Sequence, residues 1–301
     1  MNIDASSAQF DVVVVGGSYA GLSAALQLAR ARREVLVIDA GMRRNRFAVA
    51  SHGFLGQDGR SPDAIAADGR AQLMAYPSVR WLNRTAAQAE QVKEGFAVDV
   101  EGGERVHARR LILATGVVDD LAEIEGLAQR WGRSVFHCPY CHGYELNKGR
   151  IGVLAVGPAS IHHALMLPDW GEVTLFTNEV FSPDEQQLAA MTARGVVIER
   201  ERVARIVEKA TVELVSGRRI EVDGLFTASR TRVATAIPQQ LGCAFEDGPL
   251  GQFVRTDALK ETTVSGVFAC GDAARGAGNV PFAVGDGAQA GVSAHRSLIF
   301  S

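Results

Sequence analysis

One arrangement of residues occurs twice in this chain, and it limits the fold more than any other feature. Residues 10–39, FDVVVVGGSYAGLSAALQLARARREVLVID, read as buried strand, glycine turn, helix and second strand. Residues 150–177, RIGVLAVGPASIHHALMLPDWGEVTLFT, repeat that order. In the first copy Leu22, Ala25, Leu26 and Ala29 follow helical spacing after an unbroken β-branched run, the pattern of a strand covered on both faces. Each copy leads into a hairpin-like stretch, GFAVDVEGGERVHARRL and then ATVELVSGRRIEV, with Gly-Gly and Ser-Gly as the turns. Each closes on a short apolar strand, LILATG at 111–116 and GLFTASR at 224–230. Two such βαβ halves in 301 residues predict an α/β chain of two nucleotide-binding-type domains on parallel sheets.

The first glycine turn has the surroundings of a dinucleotide fingerprint. Gly16-Gly17-Ser18-Tyr19-Ala20-Gly21 follows a strand and opens a helix, and Asp39 stands eighteen residues beyond Gly21. In that pattern Gly16 makes the tight turn and Gly21 lets helix and strand pack. The helix N-terminus meets a pyrophosphate, and Asp39 accepts from a ribose hydroxyl. Ser18 replaces the middle glycine and keeps a small side chain with a hydroxyl donor.

Several classes drop out on composition. A net charge of −3 gives no basic field for nucleic acid or anionic lipid. Val12 to Ala29 is free of charge, but its glycines split it into strand and helix. Asp4 and Asp11 sit where an export signal carries Lys or Arg, so a cytoplasmic protein with no membrane segment is expected.

Residues 137–145, HCPYCHGYE, match four chemistries: c-type haem attachment, a glutaredoxin-like centre, zinc, and a redox disulfide. Haem lacks a marked second ligand. Zinc wants four ligands, and the other cysteines, Cys243 and Cys270, stand alone; no metal is expected.

Ala114-Thr115-Gly116 ends an apolar strand, and Gly266-Val267-Phe268-Ala269-Cys270-Gly271-Asp272 follows late in the chain. With the GGxxAG turn, these motifs resemble the FAD-dependent pyridine nucleotide–disulfide oxidoreductases. A C-x-x-C between the ATG and the second βαβ unit is similar to thioredoxin reductases in particular. The resemblance implies FAD in a domain of residues 1–117 and 248–301. A second Rossmann-like domain, residues 118–247, is inserted in it, resembles an NAD(P)-binding domain and carries the cysteine pair. Gly271 and Asp272 are then expected at the flavin's ribityl–phosphate chain, and His52 in a loop that wraps the flavin. Cys141 is expected to face the flavin and Cys138 to exchange with substrate. His142 stands where thioredoxin reductases carry Asp, and an imidazole there can take a proton from an incoming thiol. His162 and His163 are expected to face solvent, Cys243 to be a buried hydrophobe, and Cys270 to have no chemistry.

The second half departs from that family. Its turn reads Ala155-Val156-Gly157-Pro158-Ala159-Ser160, with a glycine lost and one backbone donor removed by proline. From Leu175 to Ala193 there is no Lys or Arg to hold a 2′-phosphate. The C-x-x-C-H-G-Y-E run resembles the dithiol oxidases of gliotoxin, holomycin and romidepsin biosynthesis. That branch implies a homodimer oxidising a small-molecule dithiol, with molecular oxygen taking the electrons. The alternative is a thioredoxin reductase that uses NAD(P)H to reduce a thioredoxin-like protein.

Overall fold

The computed structural model describes residues 9–300; Asp4 and the outermost ends of the expected 1–117 and 248–301 domain lie outside it. The chain forms two compact units. The first comprises the described residues up to Arg46, then Pro62–Val118 and everything from Thr231; the second comprises Phe47–Ser61 and Asp119–Arg230.

The first unit is built on a seven-stranded sheet. Strand β1 (Gln9–Val15) leads through the glycine turn into helix α1 (Tyr19–Arg30) and then β2 (Val35–Ile38). Strands β3 (Val79–Leu82), β4 (Ala86–Val92), β5 (Gly95–Val100) and β6 (Glu104–Leu113) complete the path β3-β2-β1-β6-β5-β4. The strand Val267–Ala269 joins in parallel on Leu111–Leu113 of β6. β1 runs parallel to β2 and β6, with Val12–Val15 facing Val35–Ile38 on one side and Arg110–Leu113 on the other. Val12, Val13 and Val14 are wholly buried, as a strand covered on both faces requires. The first hairpin forms as its Gly-Gly turn predicts, β5 antiparallel to β6.

The buried face of α1 is wider than the helical spacing suggested. Tyr19, Ala20, Ala24 and Leu28 are buried with Leu22, Ala25 and Ala29, while Leu26 is only half-buried. The extra face is taken by the last helix, Val280–Ser297. A Cβ on Gly287 or Gly291 of that helix would lie 2.0 Å from the Ala20 carbonyl oxygen or 2.4 Å from that of Ala24.

The second unit has a five-stranded parallel sheet in the order Val197–Glu199, Glu172–Phe176, Arg150–Leu154, Gly224–Thr227, Val135–Phe136. A three-stranded antiparallel sheet carries the second hairpin, Thr211–Leu214 on Arg219–Ile220, with Gly217 at φ +84° in its turn. The cysteine pair lies just past the C-terminal end of the edge strand Val135–Phe136, the end at which open parallel sheets place their chemistry. No helix among the described residues is long and apolar enough to cross a membrane.

Candidate active site

In the first unit the glycine turn is as tight as backbone allows. Gly16 sits at φ +100°, and a Cβ there would lie 2.3 Å from the Ala114 carbonyl oxygen; a Cβ on Gly21 would lie 1.8 Å from that of Gly16. Only hydrogen fits at either place. Ser18 caps α1 in an extended conformation with no side-chain cap bond, which leaves its hydroxyl to other uses. Asp39 accepts from the Gly17 N–H at 3.0 Å, which fixes the carboxylate beside the turn.

Thr115 carries the clearest sign of a missing partner. Its Oγ1 is buried, with no hydrogen-bond partner among the described residues. A buried hydroxyl left unpaired is destabilising by about 1–3 kcal/mol, so such a group calls for a ligand. Gly116 follows at φ +66° and Gly271 at φ +68°, where a Cβ would meet that of Ala20 at 2.9 Å. Asp272 pairs with Arg44 at 2.9 Å. Tyr19 is committed internally: its hydroxyl donates to the Pro62 carbonyl at 3.2 Å and accepts from Asn45 Nδ2 at 3.1 Å. Burial, the main influence, raises its pKa. Gly16, Ser18, Ala20, Gly21, Asp39, Ala114, Thr115, Gly116, Gly271 and Asp272 thus all fall in one unit, and their backbone cradle and unpaired hydroxyl fit a dinucleotide.

His52 falls in the other unit. Its Nε2 lies 3.4 Å from Glu145 Oε1 and its Nδ1 lies 3.7 Å from Asp58 Oδ1. Glu145 is three residues past His142, so the loop carrying His52 reaches the cysteine segment.

Cys138 and Cys141 are joined in a disulfide, with Cα atoms 5.3 Å apart. Cys138 caps the single helical turn Pro139–His142, and Pro139 stands at the first helical position, where its missing N–H is no loss. The Cys141 N–H is bonded to the Cys138 carbonyl at 3.2 Å, and that of Gly143 to Pro139 at 2.7 Å. One turn is too short for a full helix dipole, so thiolate stabilisation rests on local groups. His142 stacks on Phe136 with centroids 4.2 Å apart. Burial, and then the neighbouring charge of His52, lower its pKa to about 4, so the ring is a neutral acceptor at pH 7.

His163 corrects the expectation that it faces solvent. It is half-buried, and its Nε2 lies 2.9 Å from the His137 carbonyl oxygen, next to Cys138; burial lowers its pKa. His162 is exposed. Trp170 meets Tyr140 edge-on at 5.3 Å and lies so close to Gly143 that a Cβ there would be 2.8 Å from its Cγ. Neither His163 nor Trp170 bears a local motif that marks it for this place.

The second glycine turn is closed on itself. The Val156 N–H donates to Ser160 Oγ at 3.1 Å, Pro158 has no N–H to offer, and the helix that follows, Ile161–Met166, has six residues. At the end of the next strand Asn178 Oδ1 accepts from the Val203 N–H at 2.9 Å, and the nearby Arg218 is paired with Glu199 and Glu201. Arg230 and Arg232, the other basic candidates, fall in different units. Cys270 is wholly buried and its thiol is pushed up to about 12; Cys243 is buried and raised as well, chiefly by desolvation. Neither forms a thiolate at pH 7.

Residues 10–287 match the family described as pyridine nucleotide-disulphide oxidoreductase. The chain belongs to that family. As such an oxidoreductase it is a flavin-dependent enzyme of thiol–disulfide chemistry, similar to thioredoxin reductases. It is 32% identical to "Thioredoxin reductase tcpT" of Claviceps purpurea (strain 20.1), with 96% of this chain and 94% of that protein covered. The solved structure of an oxidoreductase from Agrobacterium tumefaciens superposes with a TM-score of 0.95 at 55% identity, covering 97% of this chain and 99% of the other. That of HlmI does so with a TM-score of 0.90 at 34% identity, covering 97% and 93%. This oxidoreductase therefore shares its two-domain α/β fold with proteins of its own family over nearly the full described length.

Proposed function

We propose that this oxidoreductase is an FAD-dependent dithiol oxidase that closes a disulfide in a small-molecule dithiol. The observation that carries the reading is the second glycine turn. Its Val156 N–H is already taken by Ser160, the stretch from Leu175 to Ala193 at the strand end beyond it carries no Lys or Arg for a 2′-phosphate, and Arg218 is held by Glu199 and Glu201. With a poor cradle for a nicotinamide dinucleotide, the electrons come from the thiol substrate.

FAD is the flavin the first unit fits. The α1 N-terminus, Gly16, Ser18, Ala20 and Gly21 take the pyrophosphate, Asp39 the ribose, Thr115 an otherwise unpaired hydroxyl contact, and Asp272 a ribityl hydroxyl. When bound, it supplies a two-electron acceptor that reoxidises the cysteine pair and hands the electrons to oxygen. The steps on the chain itself are thiol–disulfide exchange. A substrate thiolate attacks Cys138 Sγ, breaks the Cys138–Cys141 bond and leaves Cys141 as thiolate. Neutral His142 takes the proton of the second substrate thiol. That thiolate attacks the substrate sulfur bound to Cys138, the cyclic disulfide departs, and the chain holds two electrons as a dithiol.

Turnover of a small dithiol in air is the test. One disulfide and one hydrogen peroxide are expected per cycle with no nicotinamide consumed, and C138S and C141S are expected to abolish it. Full peroxide production by the double variant C138S/C141S would exclude the scheme. A second reading, NAD(P)H-driven reduction of a thioredoxin-like protein, has in its favour the name that tcpT carries. Dependence of turnover on added NADPH distinguishes it.

A further inference from the structure

The segment that follows the second glycine turn makes two contacts with the cysteine segment, and neither is explained by the chemistry above. From the start of the helix Ile161–Met166, His163 reaches the His137 carbonyl at 2.9 Å. A carbonyl oxygen only accepts, so His163 Nε2 carries the hydrogen and Nδ1 is the unprotonated nitrogen. Past the same helix, Trp170 packs edge-on against Tyr140, between the two cysteines, and against Gly143. The acceptor is the peptide that joins His137 to Cys138, so the bond acts on the backbone of the cysteine that meets substrate. The His163 ring is also backed by Phe226, 6.4 Å away between centroids, which limits its freedom to leave.

We propose that His163 is a positioning residue for the Cys138–Cys141 pair: its hydrogen bond to the His137 carbonyl fixes the peptide that carries Cys138, and the former dinucleotide turn serves as a brace for the disulfide. The proposal rests on the reading of the pair as the redox centre. Its physical basis is preorganisation. A dithiol whose two sulfurs are held near each other closes its disulfide more readily than one whose backbone moves, because ring closure then sacrifices less freedom. Loss of the brace therefore shifts the pair toward the dithiol without altering its composition.

The test compares H163M and H163Q, which have similar length and differ in the hydrogen-bond donor, with H163F as a ring without a donor. Holoenzyme of each is equilibrated with glutathione buffers in the absence of oxygen, and Cys138 and Cys141 are trapped with a thiol label and counted by mass. H163M and H163F are expected to shift the equilibrium constant about tenfold toward the dithiol, because the bond holds the disulfide form more tightly than the dithiol by about the worth of one hydrogen bond. H163Q is expected to stay within about twofold of wild type, because its side-chain N–H restores the bond. Should H163F melt early, the matched pair H163M and H163Q decides alone. Wild-type behaviour in H163M, or a shift in H163Q as large as in H163M, overturns the proposal. The label reports the sulfurs whether or not the flavin takes their electrons. A wild-type pair that equilibrates with glutathione but leaves the flavin oxidised contradicts the dithiol oxidase reading, and the variants still decide the brace.

Discussion

His142, proposed above as the proton acceptor, is poorly tuned for that role at rest. With the disulfide closed, burial and His52 hold its pKa at about 4, well below the ordinary 6.5, so it is neutral but weakly basic. A thiolate at Cys141, one residue away, favours the charged form and pushes the pKa back up. We expect NMR titration of His142 to show a rise of about one unit or more when the pair is reduced; an unchanged value would remove it as the proton acceptor. The same shift sets a stability dependence. A histidine held below its unfolded pKa contributes stability that is complete above pH 6.5 and is lost as pH falls toward 4, so denaturant midpoints should drop through that window and H142F should flatten the drop. Gly21 makes the second residue-scale case. A Cβ there would stand 1.8 Å from the Gly16 carbonyl, and G21A should lower stability by about 3 kcal/mol and leave the purified protein without flavin. Normal flavin content in G21A would place the cofactor elsewhere.

Among the elements, those with a strong period or a fixed turn were legible from sequence. The valine run Val12–Val15 of β1, the Gly-Gly and Ser-Gly hairpins and the two glycine turns lie where their residues predict. The elements that escaped are held by partners distant in sequence. Nothing local to SHGFLGQDG says that His52 packs by Glu145, because the loop has no period and the contact spans 93 positions. Nothing in ASIHHALM tells the exposed His162 from the half-buried His163, since adjacent positions on so short a helix differ only in what packs on them. Residues 231–247 pack with the first unit because the short helix Ile237–Gln240 lies against β4, a contact with no signature in the chain. The pairing of α1 with the last helix is also long-range, and it depends on small residues. G291A should bring a methyl into the Ala24 carbonyl and lower stability by about 1–3 kcal/mol, read as a fall in thermal midpoint with flavin content maintained. An unchanged midpoint would mean that the two helices part readily at this contact.

At the scale of the molecule, a repeated nucleotide-binding plan has kept both copies of its fold but only one copy of the cradle. The first turn holds two glycines where no side chain fits, and Thr115, just past β6 in the same unit, has a buried hydroxyl with no partner among the described residues. The second gives its Val156 N–H to Ser160, has Pro158 without an N–H, and is followed by a helix that sends His163 to the cysteine segment. That asymmetry was visible in outline from the sequence, as a lost glycine, an added proline and a stretch from Leu175 to Ala193 without Lys or Arg, whereas the internal bond from Val156 to Ser160 has no signature in the chain. On the function proposed above, it sets the direction of electron flow. Anaerobic stopped-flow absorbance of the flavin, with a small reactive dithiol in one syringe and NADPH in another, tests that direction most directly. Rapid bleaching by the dithiol, lost in C138S/C141S, with no bleaching by NADPH at micromolar concentration, is the result expected. Rapid bleaching by NADPH with none by the dithiol would contradict it.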